Sequence, residues 1–143
     1  MLDSKKYELV IHQLDNKDEE FIAVLDKIIK MGVGLVQNTE ELREEILDYD
    51  YICQILVKDI NFNFWLKISH GNITYKRGIN SNATFKVTYT KNILIKILKR
   101  EIYGSEAYMK GLIKVDGNLT QGLRYTKLFR MLLKYLNNNG KKE

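Results

Sequence analysis

The hydrophobic period of this chain changes near Tyr49, and that change limits the fold more than any other feature. Before it, apolar residues recur at helical spacing: Tyr7, Val10, Ile11 and Leu14, then Phe21, Val24, Leu25, Ile28 and Ile29. After it they alternate. Tyr51, Cys53, Ile55 and Val57 interleave with Ile52, Gln54 and Lys58, and Phe62, Phe64, Leu66 and Ile68 share one side opposite Asn63, Trp65, Lys67 and Ser69. A period near 3.6 gives a helix one apolar stripe, and a period of two gives a strand one buried face.

His70-Gly71-Asn72 is a hairpin signal leading into Ile73, Tyr75 and Arg77. Ala83, Phe85, Val87 and Tyr89 then alternate with Thr84, Lys86, Thr88 and Thr90. These four strands follow one another so closely that antiparallel pairing throughout is expected. Helical spacing returns with Ile93, Leu94, Ile97 and Leu98, and a short helix is expected over Gly104 to Lys110. The stretch from Gly111 to Gly117 reads as a fifth strand. The last helix carries Tyr125, Leu128, Phe129, Leu132, Leu133 and Leu136 on one stripe. In the first part, the second helix is expected to fray near Gly32 and Gly34. Asn38 or Thr39 then caps a third helix, whose Glu40, Glu41, Glu44 and Glu45 suit its positive N-terminal end. Helices, a block of strands, helices, one strand and a helix, without alternating βαβ units, make an α+β domain.

With 143 residues, 45% apolar and 29% charged, the chain fits one ordinary globular domain that buries a real core. No apolar run approaches the roughly 20 residues needed to span a bilayer. The start shows no apolar leader segment, so a cytoplasmic location is expected. Cys53 is the sole cysteine, which excludes an internal disulfide and a multi-cysteine metal site. The net charge of +5 conceals a split: residues 1–50 hold 13 acidic and 6 basic residues, whereas residues 51–143 hold 5 and 17. Either the basic part meets an anionic surface, or the two parts fold against each other.

Candidate catalytic chemistry is sparse, and no enzyme is expected. His12 lies beside an apolar helical stripe, His70 sits at a hairpin tip, and Cys53 falls within an apolar strand face. No metal-ligand spacing, phosphate loop or dinucleotide fingerprint is present, so neither metal nor cofactor is expected. Nucleic acid is a disfavoured partner, because the basic residues are scattered and Phe62, Phe64 and Phe85 alternate as core residues do.

The segment Ala107 to Leu119, AYMKGLIKVDGNL, resembles the signature of the sterol carrier protein 2 domain family. Ala107-Tyr108, Gly111, Lys114, Gly117-Asn118 and the amphipathic helix after them stand in the spacing of that signature. Trp65 to Gly71 looks like the family's strand and turn, and Ala83 to Leu98 like its strand-then-helix step. The resemblance covers roughly residues 38–137. Two departures touch the loop that helps close the cavity: the family often has Gly where this chain has Lys99 or Arg100, and a Pro before the Ala-aromatic pair that is absent here. Residues 1–37 are then an N-terminal helical extension packed on the domain, and 138–143 a polar tail.

The resemblance implies a five-stranded, mainly antiparallel sheet covered by helices, with an apolar tunnel or cavity between them. The implied function is non-enzymatic binding and transfer of lipids or other apolar ligands, whether fatty acyl, isoprenoid or sterol-like. The ligand-lining residues expected are Phe64, Leu66 and Phe85 from the sheet, Leu94 and Leu98 from the following helix, Tyr108 and Met109, and Leu128 and Leu132 from the last helix. Arg124, Lys127, Arg130 and Lys134 are expected to dock the domain on anionic membranes. A filled core on the same fold, acting as a protein-interaction module or a homodimer, is the alternative.

Overall fold

A computed structural model describes residues 4–15 and 17–138. Two helices open the chain, α1 (Ser4–Ile11) and α2 (Asp18–Asn38), followed by the short α3 (Glu40–Glu45). The strands β1 (Asp50–Val57), β2 (Phe62–Ser69), β3 (Asn72–Arg77) and β4 (Phe85–Tyr89) come next. Then follow α4 (Lys91–Leu98), α5 (Gly104–Met109), β5 (Lys114–Gly117) and α6 (Leu119–Asn138). Residues 139–143, most of the expected polar tail, lie outside the described residues.

Helix α2 does not fray at its glycines but runs on to Asn38. Each interior glycine costs about 1 kcal/mol of helix propensity. Beyond them Leu35 and Val36 are buried, and burying such side chains is worth roughly 1.5–3 kcal/mol apiece, so packing prevails. Thr39 stands at the N-cap of α3 but makes no side-chain capping bond, and the Asn38 amide turns back to the Gly34 carbonyl.

The sheet has the order β3-β2-β1-β4-β5. Three of its pairings are antiparallel, but β4 lies parallel to β1, with Ile55 opposite Val87. This corrects the expectation that the four consecutive strands pair antiparallel throughout. Strand β3 exposes Lys76 and Arg77 and forms a polar edge. Strand β4, whose Phe85, Val87 and Tyr89 are all buried, gains cover by inserting between β1 and β5. The segment from Gly78 to Thr84 therefore crosses the sheet. Gln54 holds it, donating to the Gly78 carbonyl and accepting from the Asn80 amide at 3.0 and 2.8 Å. This explains why Gln54 is the one buried polar side chain among the described residues.

The fifth strand starts three residues later than its bracketing glycines suggest. Gly111 has φ +74°, and the Gly111 and Leu112 amides bond back to the Tyr108 and Ala107 carbonyls, so both residues close α5.

Helices α2, α4 and α6 cover the face that carries Ile55, Phe64 and Val87. Helix α1 joins them through the buried Tyr7, whose hydroxyl donates to the Leu98 carbonyl at 3.0 Å. The acidic first part folds partly against the basic remainder. Glu45 pairs with Lys127 at 3.1 Å, Asp48 with Arg124 at 3.3 Å, and Asp18 with Lys91 at 3.0 Å.

Candidate functional site: two cavities under the last helix

Two cavities lie between the sheet and α6. The smaller, about 90 Å³, is almost wholly apolar. Its floor is Ile55, Phe64, Leu66 and Ile68, its sides come from α2 and α4, and its roof is the stripe of α6. The larger, about 580 Å³, lies on the β4–β5 side, within the usual size of small-molecule sites. Val87 and Val115 form its floor, Ile97, Ile102 and Ile113 its walls, and Arg100, Arg130 and Lys134 stand along its lining. No carboxylate lines either cavity.

Tyr89, Tyr125, Phe129 and Leu133 border both cavities and form the partition between them. The phenols of Tyr89 and Tyr125 bond to each other, and burial pushes both hydroxyls well above the usual tyrosine range. They are neutral near pH 7. An apolar cavity of this kind tolerates few polar groups, each satisfied, because a buried unpaired one costs roughly 1–3 kcal/mol.

Of the residues expected from sequence, Phe64, Leu66, Leu94, Leu98, Leu128 and Leu132 meet around the smaller cavity. Three do not reach either cavity. Phe85 is buried, but it packs edge-on against Tyr51 and Tyr125 and beneath Gly122, which leaves no space at its ring. In the one-and-a-half-turn α5, Ala107 is the residue that points inward, so Tyr108 and Met109 turn out to solvent. The Ile102–Ser105 stretch, which lines the larger cavity, was absent from the expected lining, and Arg100, marked in the sequence only as a departure in the loop that helps close the cavity, lines it as well. Arg100 adopts φ +62° at the end of α4, and its amide bonds to the Ile97 carbonyl. That left-handed conformation is why the departure from glycine at Lys99 or Arg100 falls at the cavity.

The four basic residues of α6 divide. Arg124 and Lys127 face Asp48 and Glu45, whereas Arg130 and Lys134 line the larger cavity without an ion pair among the described residues. Catalytic groups do not gather at the cavities. Cys53 is buried and its thiol is pushed well up by burial, whereas His12, in a short 3-10 helix, and His70, in a turn, are both exposed. No metal-binding cluster occurs among the described residues. No helix among them is long and apolar enough to cross a membrane.

The sequence model of the SCP-2 sterol transfer family matches residues 34–130. The chain belongs to this family. No curated protein matches it. Among solved structures, apo sterol carrier protein 2 from Yarrowia lipolytica is 17% identical, with a TM-score of 0.61 over 88% of this chain and 99% of that one. Palmitated SCP2L2 from Aedes aegypti is 12% identical, with a TM-score of 0.58 over 71% and 90%. The inverting sec-alkylsulfatase Pisa1 from Pseudomonas sp. is 24% identical, with a TM-score of 0.52 over 62% of this chain. This chain spans only 14% of Pisa1, so the SCP-2 fold also stands inside a longer enzyme. At these identities the likeness establishes the fold. Family and fold together tie the chain to lipid binding and transfer in general, a task this fold generally performs without catalysis.

Proposed function

We propose that this SCP-2 family member carries single-chain lipids, taking the hydrocarbon tail into the larger cavity and, past the tyrosine partition, toward the smaller one. The observation that carries the reading is the pair of cavities sharing the wall of Tyr89, Tyr125, Phe129 and Leu133. Shifting those side chains joins two spaces into one elongated tunnel, the shape of an acyl or isoprenoid chain. In this reading Leu94, Leu98, Leu128, Leu132, Phe64 and Leu66 hold the distal end of the tail.

Burying about twelve methylenes at ~0.8 kcal/mol each supplies about 10 kcal/mol, against roughly 4–15 kcal/mol lost on association. Net affinity is then modest and chain selectivity low, as suits a protein that must also release its cargo. The domain is taken as residues 38–137 with residues 1–37 as its helical extension, working in the cytoplasm, where the single thiol of Cys53 stays reduced.

Native mass spectrometry of gently purified protein, together with displacement of a fluorescent fatty acid from solution, tests the proposal. A bound lipid mass and saturable one-site displacement are the expected results. A ligand-free protein that takes up no apolar probe means a filled core and ends the carrier reading.

A further inference from the structure

Nine large hydrophobic residues are exposed among the described residues, and six of them fall within residues 103–123: Tyr103, Tyr108, Met109, Leu112, Leu119 and Leu123. Met109 is 85% exposed and Leu123 64%. That concentration is local in space as well as in sequence. Gly104, which opens α5, packs against Thr126 of α6. Along α6, Leu119, Leu123, Thr126, Arg130 and Lys134 follow at steps of three or four residues and therefore share one face. The apolar end of this face leads directly to Thr126, Arg130 and Lys134, which line the larger cavity together with Tyr103 and Arg100. An apolar surface thus flanks the lining cations of the cavity.

Its charge is one-sided. Residues 99–134 hold eight Lys or Arg against Glu101, Glu106 and Asp116. Glu106 is paired with Lys110 at 3.0 Å, and Asp116 lies 3.9 Å from Lys114. Arg100, Arg130 and Lys134 make no ion pair among the described residues. Arg100 also holds a left-handed backbone conformation, a place where glycine is less costly.

We infer that this face, formed by α5, the loop after it and the outer stripe of α6, docks the protein on an anionic lipid bilayer with the larger cavity opening toward it. The inference rests on the carrier reading and adds the source of the cargo. Exposed Met and Leu side chains enter the acyl boundary, Tyr103 and Tyr108 sit at headgroup level as amphipathic aromatics do, and the cations meet the negative surface. Each such cation near the membrane contributes about 1 kcal/mol, which is about a fivefold change in partitioning. A lipid tail then passes from bilayer to cavity without crossing water.

Co-sedimentation with phosphatidylcholine vesicles, with and without phosphatidylserine, reads docking, and uptake of a fluorescent fatty acid from vesicle-free solution reads the cavity. The double variant M109D/L123D alters two exposed side chains that line neither cavity. The expected result is salt-sensitive sedimentation of the wild type with phosphatidylserine vesicles only, reduced at least about tenfold in the variant, while uptake from solution stays at the wild-type level. Wild-type protein that ignores phosphatidylserine, or a variant that sediments like it, overturns the inference. So does a wild-type dimer in size-exclusion chromatography that the variant dissolves, since the face is then an interface between copies. Loss of solution uptake in the wild type instead sinks the carrier reading and leaves the sedimentation result to stand by itself.

Discussion

The phenol oxygens of Tyr89 and Tyr125 lie 2.8 Å apart, one at the end of β4 and the other on α6. Both rings are buried, and both border the two cavities. This bond joins helix to sheet where a continuous tunnel would have to pass.

Removing one hydroxyl leaves the other buried and unpaired, which costs roughly 1–3 kcal/mol. Tyr125→Phe should therefore destabilise the fold by that amount. Y89F/Y125F should cost clearly less than the sum of its single variants, since no orphaned hydroxyl remains. Urea unfolding of the four proteins in a double-mutant cycle measures the coupling. Strict additivity would show that the bond contributes nothing.

Leu132→Trp adds volume to the smaller cavity, where Leu132 faces Gly32. If the tail of a bound lipid crosses the partition, this variant should bind short-chain probes normally and lose affinity for long ones. Excluding about three methylenes amounts to roughly 2.4 kcal/mol, or fifty- to sixtyfold. Equal affinity for long chains in both proteins would confine the ligand to the larger cavity.

Two backbone positions should respond in opposite directions. Arg100→Gly relieves a left-handed residue at the end of α4 and should stabilise the protein by about 1 kcal/mol. Gly117→Ala places a Cβ 2.5 Å from the Thr84 carbonyl at φ +104° and should cost about 2 kcal/mol or more. Thermal unfolding of both variants tests the pair; a lower midpoint for R100G contradicts it.

Stability should fall in alkali. Burial raises the hydroxyls of Tyr7, Tyr49, Tyr51, Tyr89 and Tyr125 well above their usual value, and burial with the Asp26 hydrogen bond pushes Tyr75 up to about 12. A group whose folded value is raised gives stability that is complete below its unfolded value near 10 and lost as pH rises toward the folded one. The tyrosinate absorbance of these six phenols should therefore appear together with the loss of helical circular dichroism, not before it. Asp26 adds a smaller acid-side effect of the opposite sense. Burial raises it, but bonds from Tyr75 and Lys30 and the charges of Lys30 and Arg77 outweigh burial and hold it below the usual range. Its contribution is present above the unfolded carboxylate value and disappears as pH falls through the folded one.

Much of the fold was readable in the pattern of residues. The helical and alternating periods located the main helices and the five strands, because burial of one stripe or one face acts locally and repeats along the chain. Six of nine expected lining residues meet at the smaller cavity for the same reason, being apolar members of faces that must turn inward. The larger cavity was not readable. Its lining draws on Arg100, Ile102 and Tyr103 in a loop without periodicity, and its outline depends on how β4, β5 and α6 are spaced. Tyr108 and Met109 stand outside both cavities because a helix as short as α5 buries little more than Ala107.

Sequence alone determined which segments are helix or strand, that the domain is α+β, and, through the Ala107–Leu119 segment, the family to which it belongs. The three-dimensional structure decided that β4 lies parallel to β1, that Arg124 and Lys127 face acidic partners while Arg130 and Lys134 line a cavity, and that Tyr89 and Tyr125 divide the interior. The first set follows from interactions a few residues apart, which periodicity records. The second depends on surfaces brought together from distant parts of the chain, where shape and pairing are fixed only once the layers pack.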